Sequence, residues 1–141
     1  MKPQTATTTF SREEDLAVPV ARYFRNRAFR LQSSEVPFYE YRIDMYVYSQ
    51  REDLAVAVEL KLTRWSRALE QALLYQLCSD LVYIAMPQKE IRRVDLKVLE
   101  EHGVGLIAVG EERCREVVSA VPSLVLRKHY RDEYLEMLRE D

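Results

Sequence analysis

Hydrophobic and polar positions follow two periods along this chain, one typical of strands and one typical of helices. Residues 41–49 and 54–62 are rich in β-branched and aromatic types and flank the polar turn 50–53, so they predict a β-hairpin. Short apolar or alternating runs predict further strands at 28–34, 81–86 and 104–109. Helical spacing of apolar residues predicts helices at 12–27, 66–79, 90–102 and 130–139, and residues 114–126 remain ambiguous.

The ends of several predicted elements carry residues with known preferences. Ser11 is expected to cap the first helix, with Glu14 as its capping-box partner. Pro19 lies inside that helix and predicts a kink or a later start, and Pro37 is expected to interrupt the strand pattern. Gly103 follows the helix at 90–102, in the place of a C-cap glycine.

The predicted order of elements is α-β-β-β-α-β-α-β-α. The first strands are joined by short turns and are expected to be antiparallel, whereas the later strands alternate with helices and are expected to be parallel. We therefore expect an α/β fold, with a mixed sheet covered by helices on both faces. The length predicts a single domain, 1–141, with a flexible segment at 1–10 and a C-terminal helix at 128–141.

Composition changes this picture mainly by what it excludes. The net charge is −2, so any binding of nucleic acid requires a local basic patch. The three glycines form no phosphate-binding loop, and two histidines are too few for a histidine metal cage. Two cysteines and the lack of a membrane-spanning or signal-like stretch favour a cytoplasmic location. Carboxylates and lysine remain for chemistry, and these suit hard cations and phosphates.

Three charged residues interrupt the apolar strands of the hairpin. Glu59 and Lys61 are expected on one face of their strand, and Val58 and Leu60 on the other. On the preceding strand, Asp44 is expected opposite the face that holds Ile43, Met45 and Val47.

The turn between the strands determines how these residues meet. If it centres between Arg51 and Glu52, paired residues have numbers that sum to 103, and Asp44 lies directly across from Glu59. Directly opposed Cβ atoms are about 5 Å apart, so the two carboxylates repel unless a cation lies between them. Mg²⁺ accepts one or two carboxylates together with phosphate oxygens, and Lys61 would point towards the phosphate or the attacking water.

These residues resemble the core motif of the PD-(D/E)XK nuclease superfamily. The acidic residue is Asp44, in RIDMYV, and the ExK is Glu59–Lys61, in VELKL. The next helix carries Gln71 and Tyr75 four residues apart, as some members of the family do. The order α-β-β-β-α-β from residue 11 to residue 86 matches the family core, although Ile43 replaces the proline of the family's name.

The resemblance implies a restriction-endonuclease-like fold and a Mg²⁺-dependent enzyme that hydrolyses phosphodiester bonds in DNA, with Mn²⁺ as a substitute metal. It implies that Asp44, Glu59 and the backbone carbonyl of Leu60 hold the metal, with Glu14 or Glu13 as a further ligand. It also implies catalytic roles for Lys61, Gln71 and Tyr75. Apart from the resemblance, Arg64 and Arg67 form a basic cluster with Lys61 around Trp65, which suits contacts to a nucleic-acid backbone and makes the two arginines candidate substrate-binding residues.

Simpler interpretations stay open for the same residues. In one, Asp44 and Glu59 belong to a solvated sheet face, with Lys61 paired to one carboxylate. In another, Gln71 and Tyr75 are part of an ordinary polar stripe that begins at Arg67. The alternative functions are a related nucleic-acid-binding domain that does not cut, and a scaffold subunit of a larger complex.

A chain of this size has little room for a domain that reads DNA sequence, so we expect a homodimer or a subunit of a larger complex. The C-terminal helix has more apolar residues than one face needs and is the candidate interface. Those residues are Tyr130, Tyr134, Leu135, Met137 and Leu138.

Overall fold

The computed structural model describes residues 10–140, so most of the segment predicted to be flexible, at 1–9, lies outside the described residues, as does Asp141. The strands are β1 (Leu31–Phe38), β2 (Tyr41–Ser49), β3 (Leu54–Leu60), β4 (Leu81–Pro87), β5 (Gly105–Val109) and β6 (Cys114–Val118). The α-helices are α1 (Ala17–Arg25), α2 (Trp65–Tyr75), α3 (Leu96–His102) and α4 (Lys128–Glu140). Two 3-10 helices, Glu13–Leu16 and Gln88–Arg93, precede α1 and α3.

The strands form one six-stranded sheet in the order β1-β2-β3-β4-β5-β6. β1, β2 and β3 are antiparallel neighbours, and β3, β4 and β5 are parallel. The prediction of a mixed α/β sheet is therefore confirmed. The ambiguous region contains β6, which pairs antiparallel with β5 and closes that edge of the sheet.

Helices cover both faces of the sheet, as predicted. On one face, apolar residues of the first 3-10 helix and α1, such as Leu16, Val20 and Phe24, pack against β2–β5. On the other, α2, α3 and α4 enclose a larger core around Tyr46 and Tyr75. Because both faces are covered, a polar side chain in the middle of the sheet is buried unless it lies near a strand end.

The N-terminal helix differs from its prediction in how it begins. The backbone N–H of Arg12 donates to the carboxylate of Asp15 (2.9 Å), so neither Ser11 nor Glu14 has the expected capping role. Pro19 is the third residue of α1, where its missing N–H has no helical partner to lose. It therefore introduces no kink.

The first strand lies three residues later than predicted and contains Pro37. Ala28 adopts a left-handed conformation (φ 74°) just after the helix, and pairing starts only at Leu31. β1 is an edge strand, where proline is tolerated because its N–H side can face away from the sheet. The Pro37 carbonyl accepts a hydrogen bond from the Tyr134 hydroxyl (2.6 Å), which ties this edge to α4.

The helix predicted at 90–102 is divided into a 3-10 helix and α3. Val94 lies in an extended conformation between them, and Asp95 caps α3 through a bond from the Val98 N–H to its side chain (3.4 Å). Gly103 ends the helix with φ 73°, which confirms the predicted C-cap.

The apolar side chains of α4 pack into the core of their own chain. Tyr134, Leu135 and Leu138 are buried, and Tyr130 and Met137 are partly buried against the same core. The helix therefore lacks the spare apolar face that made it a candidate interface. Among the helices of residues 10–140, none has the length and apolar content required to cross a bilayer.

Arg131 fixes α4 to the end of the sheet where β2 meets β3. Its guanidinium donates to the Asp80 carboxylate (2.8 Å) and to Asp53 (3.0 Å), and its side chain is only 14% exposed. Both ion pairs raise the pKa of Arg131. Asp80 in turn accepts from the Ala55 N–H (2.7 Å), so the network connects α4, β3 and the start of β4.

We expect Arg131→Ala to lower the free energy of unfolding by about 2–3 kcal/mol, because Asp80 would lose a buried charged partner. Urea denaturation measures this change. Lys128→Ala is the matched control, since it removes a cation whose pair with Asp132 is exposed, and it should cost less than about 1 kcal/mol. Equal effects of the two substitutions would contradict the structural role of Arg131.

Candidate active site

The pairing of β2 with β3 brings the two carboxylates together. Met45 pairs with Val58 and Tyr46 with Ala57, which is the register predicted from the turn. Asp44 and Glu59 are the next residues on their strands, just beyond the last pair. They therefore lie side by side where the two strands begin to separate.

Asp44 stands at an irregularity between β1 and β2. Ser34 pairs with Met45 and Val36 with Ile43, but Glu35 and Asp44, which lie between these pairs, are not paired. Glu35 has a left-handed backbone conformation, with φ 52°. Ile43 packs in the core on the α2 side, whereas Met45 packs on the α1 side. The expectation that Ile43 and Met45 share a face was thus wrong, because the alternation of side chains slips at Asp44.

The carboxylate of Asp44 takes the place of a backbone partner for β3. Its Oδ2 accepts a hydrogen bond from the Leu60 N–H (2.8 Å). The N–H and C=O of one strand residue point to the same edge, so the Leu60 carbonyl also points to the side of Asp44. The Lys61 N–H points the other way and donates to the Ala85 carbonyl of β4 (3.0 Å).

Glu59 is nearly enclosed, with 4% of its surface exposed. Gln71 projects from α2 towards it, and with its amide nitrogen on the Glu59 side it donates to both carboxylate oxygens, at 3.2 Å to Oε1. An amide donor leaves the charge of the carboxylate unneutralised. Gln71 therefore orients Glu59 without forming an ion pair with it.

Both carboxyl groups have pKa values above their usual range. Burial is the main cause that raises the pKa of Glu59 to about 9, and the charge of Asp44 adds to it. Burial also raises the pKa of Asp44, against the lowering effect of the Leu60 N–H. Without a cation between them, the pair therefore retains a proton near neutral pH.

Lys61 lies just past the end of β3, with its side chain 21% exposed. Its Nζ is 3.9 Å from the Glu13 carboxylate, which also accepts from the Leu62 N–H (3.4 Å). Glu14, the other candidate ligand, pairs with Arg12 at 2.6 Å. Of the two glutamates on the first 3-10 helix, Glu13 is thus the one that contacts Lys61.

Tyr75 is fully buried beneath the carboxylates, and its hydroxyl donates to the Arg42 carbonyl (3.1 Å). Burial, followed by the charges of Glu59 and Asp44, raises its pKa. A phenol that stays protonated can support neighbouring carboxylates but cannot act as a base at neutral pH.

The two predicted substrate-binding residues lie at the start of α2. Arg64 precedes the helix in a left-handed conformation (φ 59°), and Arg67 lies one turn before Gln71. Both side chains are exposed at the end of the sheet where β3 terminates. The structure brings neither into an ion pair among the described residues, so both remain available to an anion.

An open cleft of about 420 Å³ gives access to this end of the sheet. We call it the carboxylate cleft. It lies between the first 3-10 helix and the irregularity of β1 and β2, and it is lined by Arg12, Glu13, Glu14, Ala17, Ser34, Glu35, Asp44 and Leu60. Sequence patterns gave no indication of Ser34 or Glu35, because their position depends on a left-handed non-glycine residue.

The oxygen groups in the cleft suit a hard divalent cation. The predicted ligands are the Asp44 and Glu59 carboxylates and the Leu60 carbonyl, and Mg²⁺ commonly uses one or two carboxylates and keeps several waters. No group of three or more His, Cys, Asp or Glu side chains within residues 10–140 is arranged to hold a metal ion. Within the described residues, Asp44 and Glu59 therefore remain a pair, and the predicted further ligand, Glu14 or Glu13, does not complete a group of three with them.

Comparison with known proteins shows the fold but no function. No family model matches the chain, and no curated protein matches it. A solved structure, described as the SPO1766 protein of unknown function from Silicibacter pomeroyi, is similar with a TM-score of 0.73 and 18% sequence identity. The match covers 94% of this chain and 87% of that protein. Nearly the whole α/β architecture is therefore shared.

We expect the metal-free protein to lose stability as the pH rises from about 5 to 9. The folded pKa of Glu59 lies above its unfolded value of 4.5, so its stabilising contribution is complete below pH 4.5 and disappears as the pH approaches 9. The loss is at most about 1.4 kcal/mol per pH unit for one such group. Urea denaturation in EDTA at several pH values measures it.

Glu59→Gln should make this pH dependence clearly shallower, because glutamine does not titrate. Glu136→Gln is the matched control: it removes a carboxylate from an exposed position on α4 and should leave the wild-type slope unchanged. If wild type and Glu59→Gln have the same slope, Glu59 is not protonated in the folded protein.

Proposed function

We propose that this protein is a metal-dependent nuclease that hydrolyses phosphodiester bonds in DNA. In this proposal the sheet and its helices form a restriction-endonuclease-like fold, and the chain is a small member of the PD-(D/E)XK superfamily. The order of the first elements supports the assignment, since a helix, three antiparallel strands, a second helix and a parallel strand follow one another from residue 13 to residue 87.

The proposal rests chiefly on the adjacent carboxylates of Asp44 and Glu59. Burial raises the pKa of both acids, and the charge of Asp44 raises that of Glu59 further, so holding this pair inside the sheet costs free energy that the charge of Lys61 only partly offsets. Strongly shifted pairs of this kind concentrate at functional sites. A purely solvated sheet face, the simpler interpretation, would leave both acids exposed to water, whereas Glu59 is 4% exposed.

The residues of the cleft have separate roles in this mechanism. Asp44, Glu59 and the Leu60 carbonyl would hold Mg²⁺, or Mn²⁺ in its place, and Glu13 is better placed than Glu14 to assist. A bound Mg²⁺ would lower the pKa of a water and neutralise charge on the phosphate. Gln71 fixes the orientation of the Glu59 carboxylate through its amide group, so that its oxygens are held in place before any ligand arrives.

Lys61 provides the positive charge that meets the substrate. Its ammonium donates hydrogen bonds to a phosphate oxygen or to the attacking water, and it neutralises the charge that develops as the phosphodiester bond breaks. Glu13 holds the ammonium at 3.9 Å, at the mouth of the cleft. Tyr75 stays neutral below the site, and Arg64 and Arg67 contact backbone phosphates from the start of α2.

DNA as the substrate follows from the family resemblance, whereas the proposed partner follows from the small size of the domain. A nuclease domain of this size would act as a homodimer or within a larger complex, or it would recognise ends, flaps or junctions. The α4 helix is not proposed as the contact surface, because its apolar residues are already buried.

We expect wild-type protein to cut at least one member of a DNA panel in the presence of Mg²⁺ or Mn²⁺. The panel contains single-stranded, duplex, flap and four-way-junction substrates. Lys61→Ala and Glu59→Ala should each reduce the rate by roughly 100-fold or more, because each removes a group that acts at the reacting phosphate. Gel analysis of the products measures the rates.

The matched controls are Lys97→Ala and Glu100→Ala, which change the same residue types at exposed positions on α3. They should cut at wild-type rates. Cutting that survives both active-site substitutions would exclude this site. If nothing is cut but salt-sensitive DNA binding remains, the nucleic-acid-binding alternative is favoured, and if nothing binds, the scaffold alternative is favoured.

We also expect Mg²⁺ to raise the melting temperature of wild-type protein but not that of an Asp44→Asn, Glu59→Gln double variant. A ligand that binds only the folded state at 100 times its Kd adds about 2.7 kcal/mol of stability. NaCl at equal ionic strength separates this effect from screening. A melting temperature that Mg²⁺ raises equally in both proteins would place the cation elsewhere.

A further inference from the structure

A second cleft, of about 310 Å³, lies on the other side of α1 from the carboxylate cleft. It is formed where one flank of α1 faces the turn between β5 and β6, and we call it the arginine cleft. It is lined by Pro19, Arg22, Tyr23, Asn26, Arg27, Glu112, Arg113 and Cys114.

Guanidinium groups from two distant parts of the chain meet in this cleft. Arg22 and Arg27 come from α1 and its C-terminal turn, and Arg113 comes from the β5–β6 turn. Arg22 and Arg27 both lower the pKa of Cys114, which burial raises to about 11, so their charges reach across the cleft. Glu112 is the one acid that lines it among the described residues, and Glu116 lies close enough to influence Tyr23.

The side chain of Arg27 is held in place before any ligand binds. Its guanidinium lies 3.6 Å from the centre of the Tyr23 ring and donates to the Tyr23 carbonyl (3.1 Å). The Tyr23 ring packs edge-on against Phe24, which is buried in the core. A fixed guanidinium loses less conformational freedom on binding an anion than a free one does.

The arginine cleft opens at the same end of the sheet as the proposed active site. β3, β4 and β5 are parallel, and the register aligns Leu60 with Ala85, Ile107 and Glu116 across four strands. Arg113 precedes Glu116 by three residues. Because β6 runs antiparallel to β5, Arg113 lies past the carboxyl end of β5. Three strand spacings separate β3 from β6, which is about 14 Å.

We propose that the arginine cleft binds a backbone phosphate of the nucleic acid whose cleaved phosphodiester lies in the carboxylate cleft; this rests on the proposed function. Arginine forks match the geometry of phosphate oxygens, and contacts of this type fix the register of a nucleic acid without reading its bases. One strand of B-DNA advances 3.4 Å per nucleotide, so about 14 Å corresponds to roughly four nucleotides from the cut. The cleft supplies the local basic patch that a chain of net charge −2 requires.

The test measures binding of a fluorescent 20-base-pair duplex in EDTA, where the nuclease reaction is silent. We expect the Arg22→Ala, Arg113→Ala double variant to bind at least about tenfold more weakly than wild type. The slope of log K against log salt should become shallower by about 1–2, since each lost phosphate contact removes about 0.9. Both residues are exposed, so the variant should keep the wild-type melting temperature.

The matched control is an Arg51→Ala, Arg139→Ala double variant. It changes the net charge equally, but Arg51 is in the β2–β3 turn and Arg139 lies near Tyr48, both at the opposite end of the sheet. It should bind DNA with wild-type affinity and slope. An equal loss in both double variants would reduce the effect to net charge and overturn the proposal, as would undiminished binding by Arg22→Ala, Arg113→Ala.

Two further measurements separate this inference from its alternatives. Hydrolysis of a small chromogenic phosphodiester with Mn²⁺ needs only the carboxylate cleft, so the arginine variant should retain it. If wild type hydrolyses neither substrate yet loses DNA binding with the arginine substitutions, the nuclease proposal fails and the phosphate-binding cleft stands. Inorganic phosphate and a mononucleotide should compete only weakly, and competition as strong as that of the duplex would identify a small-anion site instead.

Discussion

Repulsion between the carboxylates of Asp44 and Glu59 is the constraint around which this end of the molecule is organised. The hairpin register places the two acids side by side, and the helices on both faces keep water from screening them. The surroundings moderate the repulsion without removing it: the Leu60 N–H bonds to one acid and the Gln71 amide to the other. Neither donor carries a charge. The result is a pair of acids that retains a proton near neutral pH, and in the proposed function a divalent metal would take the place of that proton.

Stabilising contacts elsewhere in the fold offset the unfavourable free energy of this carboxylate pair. Apolar residues from both faces, together with the Arg131 network at the opposite end of the sheet, stabilise the hairpin that carries the acids. The site itself lies where β2 and β3 separate. The Leu60 N–H therefore bonds to the Asp44 carboxylate in place of a backbone carbonyl. Two residues near this site have left-handed backbone conformations: Glu35, which lines the cleft, and Arg64, which precedes α2.

Sequence patterns were sufficient for the elements whose form depends on local signals. The polar turn at 50–53 and the apolar strands beside it determine the register, and with it the meeting of Asp44 and Glu59. The predictions that were wrong concerned features that depend on tertiary contacts. Pro37 remains in β1 because that strand is an edge, and Ile43 changes face because the alternation of side chains breaks where Asp44 lies opposite the left-handed Glu35, although the pairing register is the same on both sides. No local sequence pattern indicates either of these features. The additional apolar residues of α4 pack into the core of their own chain and do not form an interface.

The arginine cleft illustrates the same limit for function. Arg22 and Arg113 are far apart in the chain, and Arg113 directly precedes the region 114–126 where periodicity was ambiguous, so the cleft exists only once β6 pairs with β5. Parallel pairing then places it at the end of the sheet where the acids lie. An overall charge of −2 conceals this asymmetry, with the acids that are proposed to hold a metal at one cleft and the guanidinium groups that are proposed to bind phosphate at the other. Because the two clefts flank α1, a strand of nucleic acid that reached both would cross the end of the sheet, past Lys61.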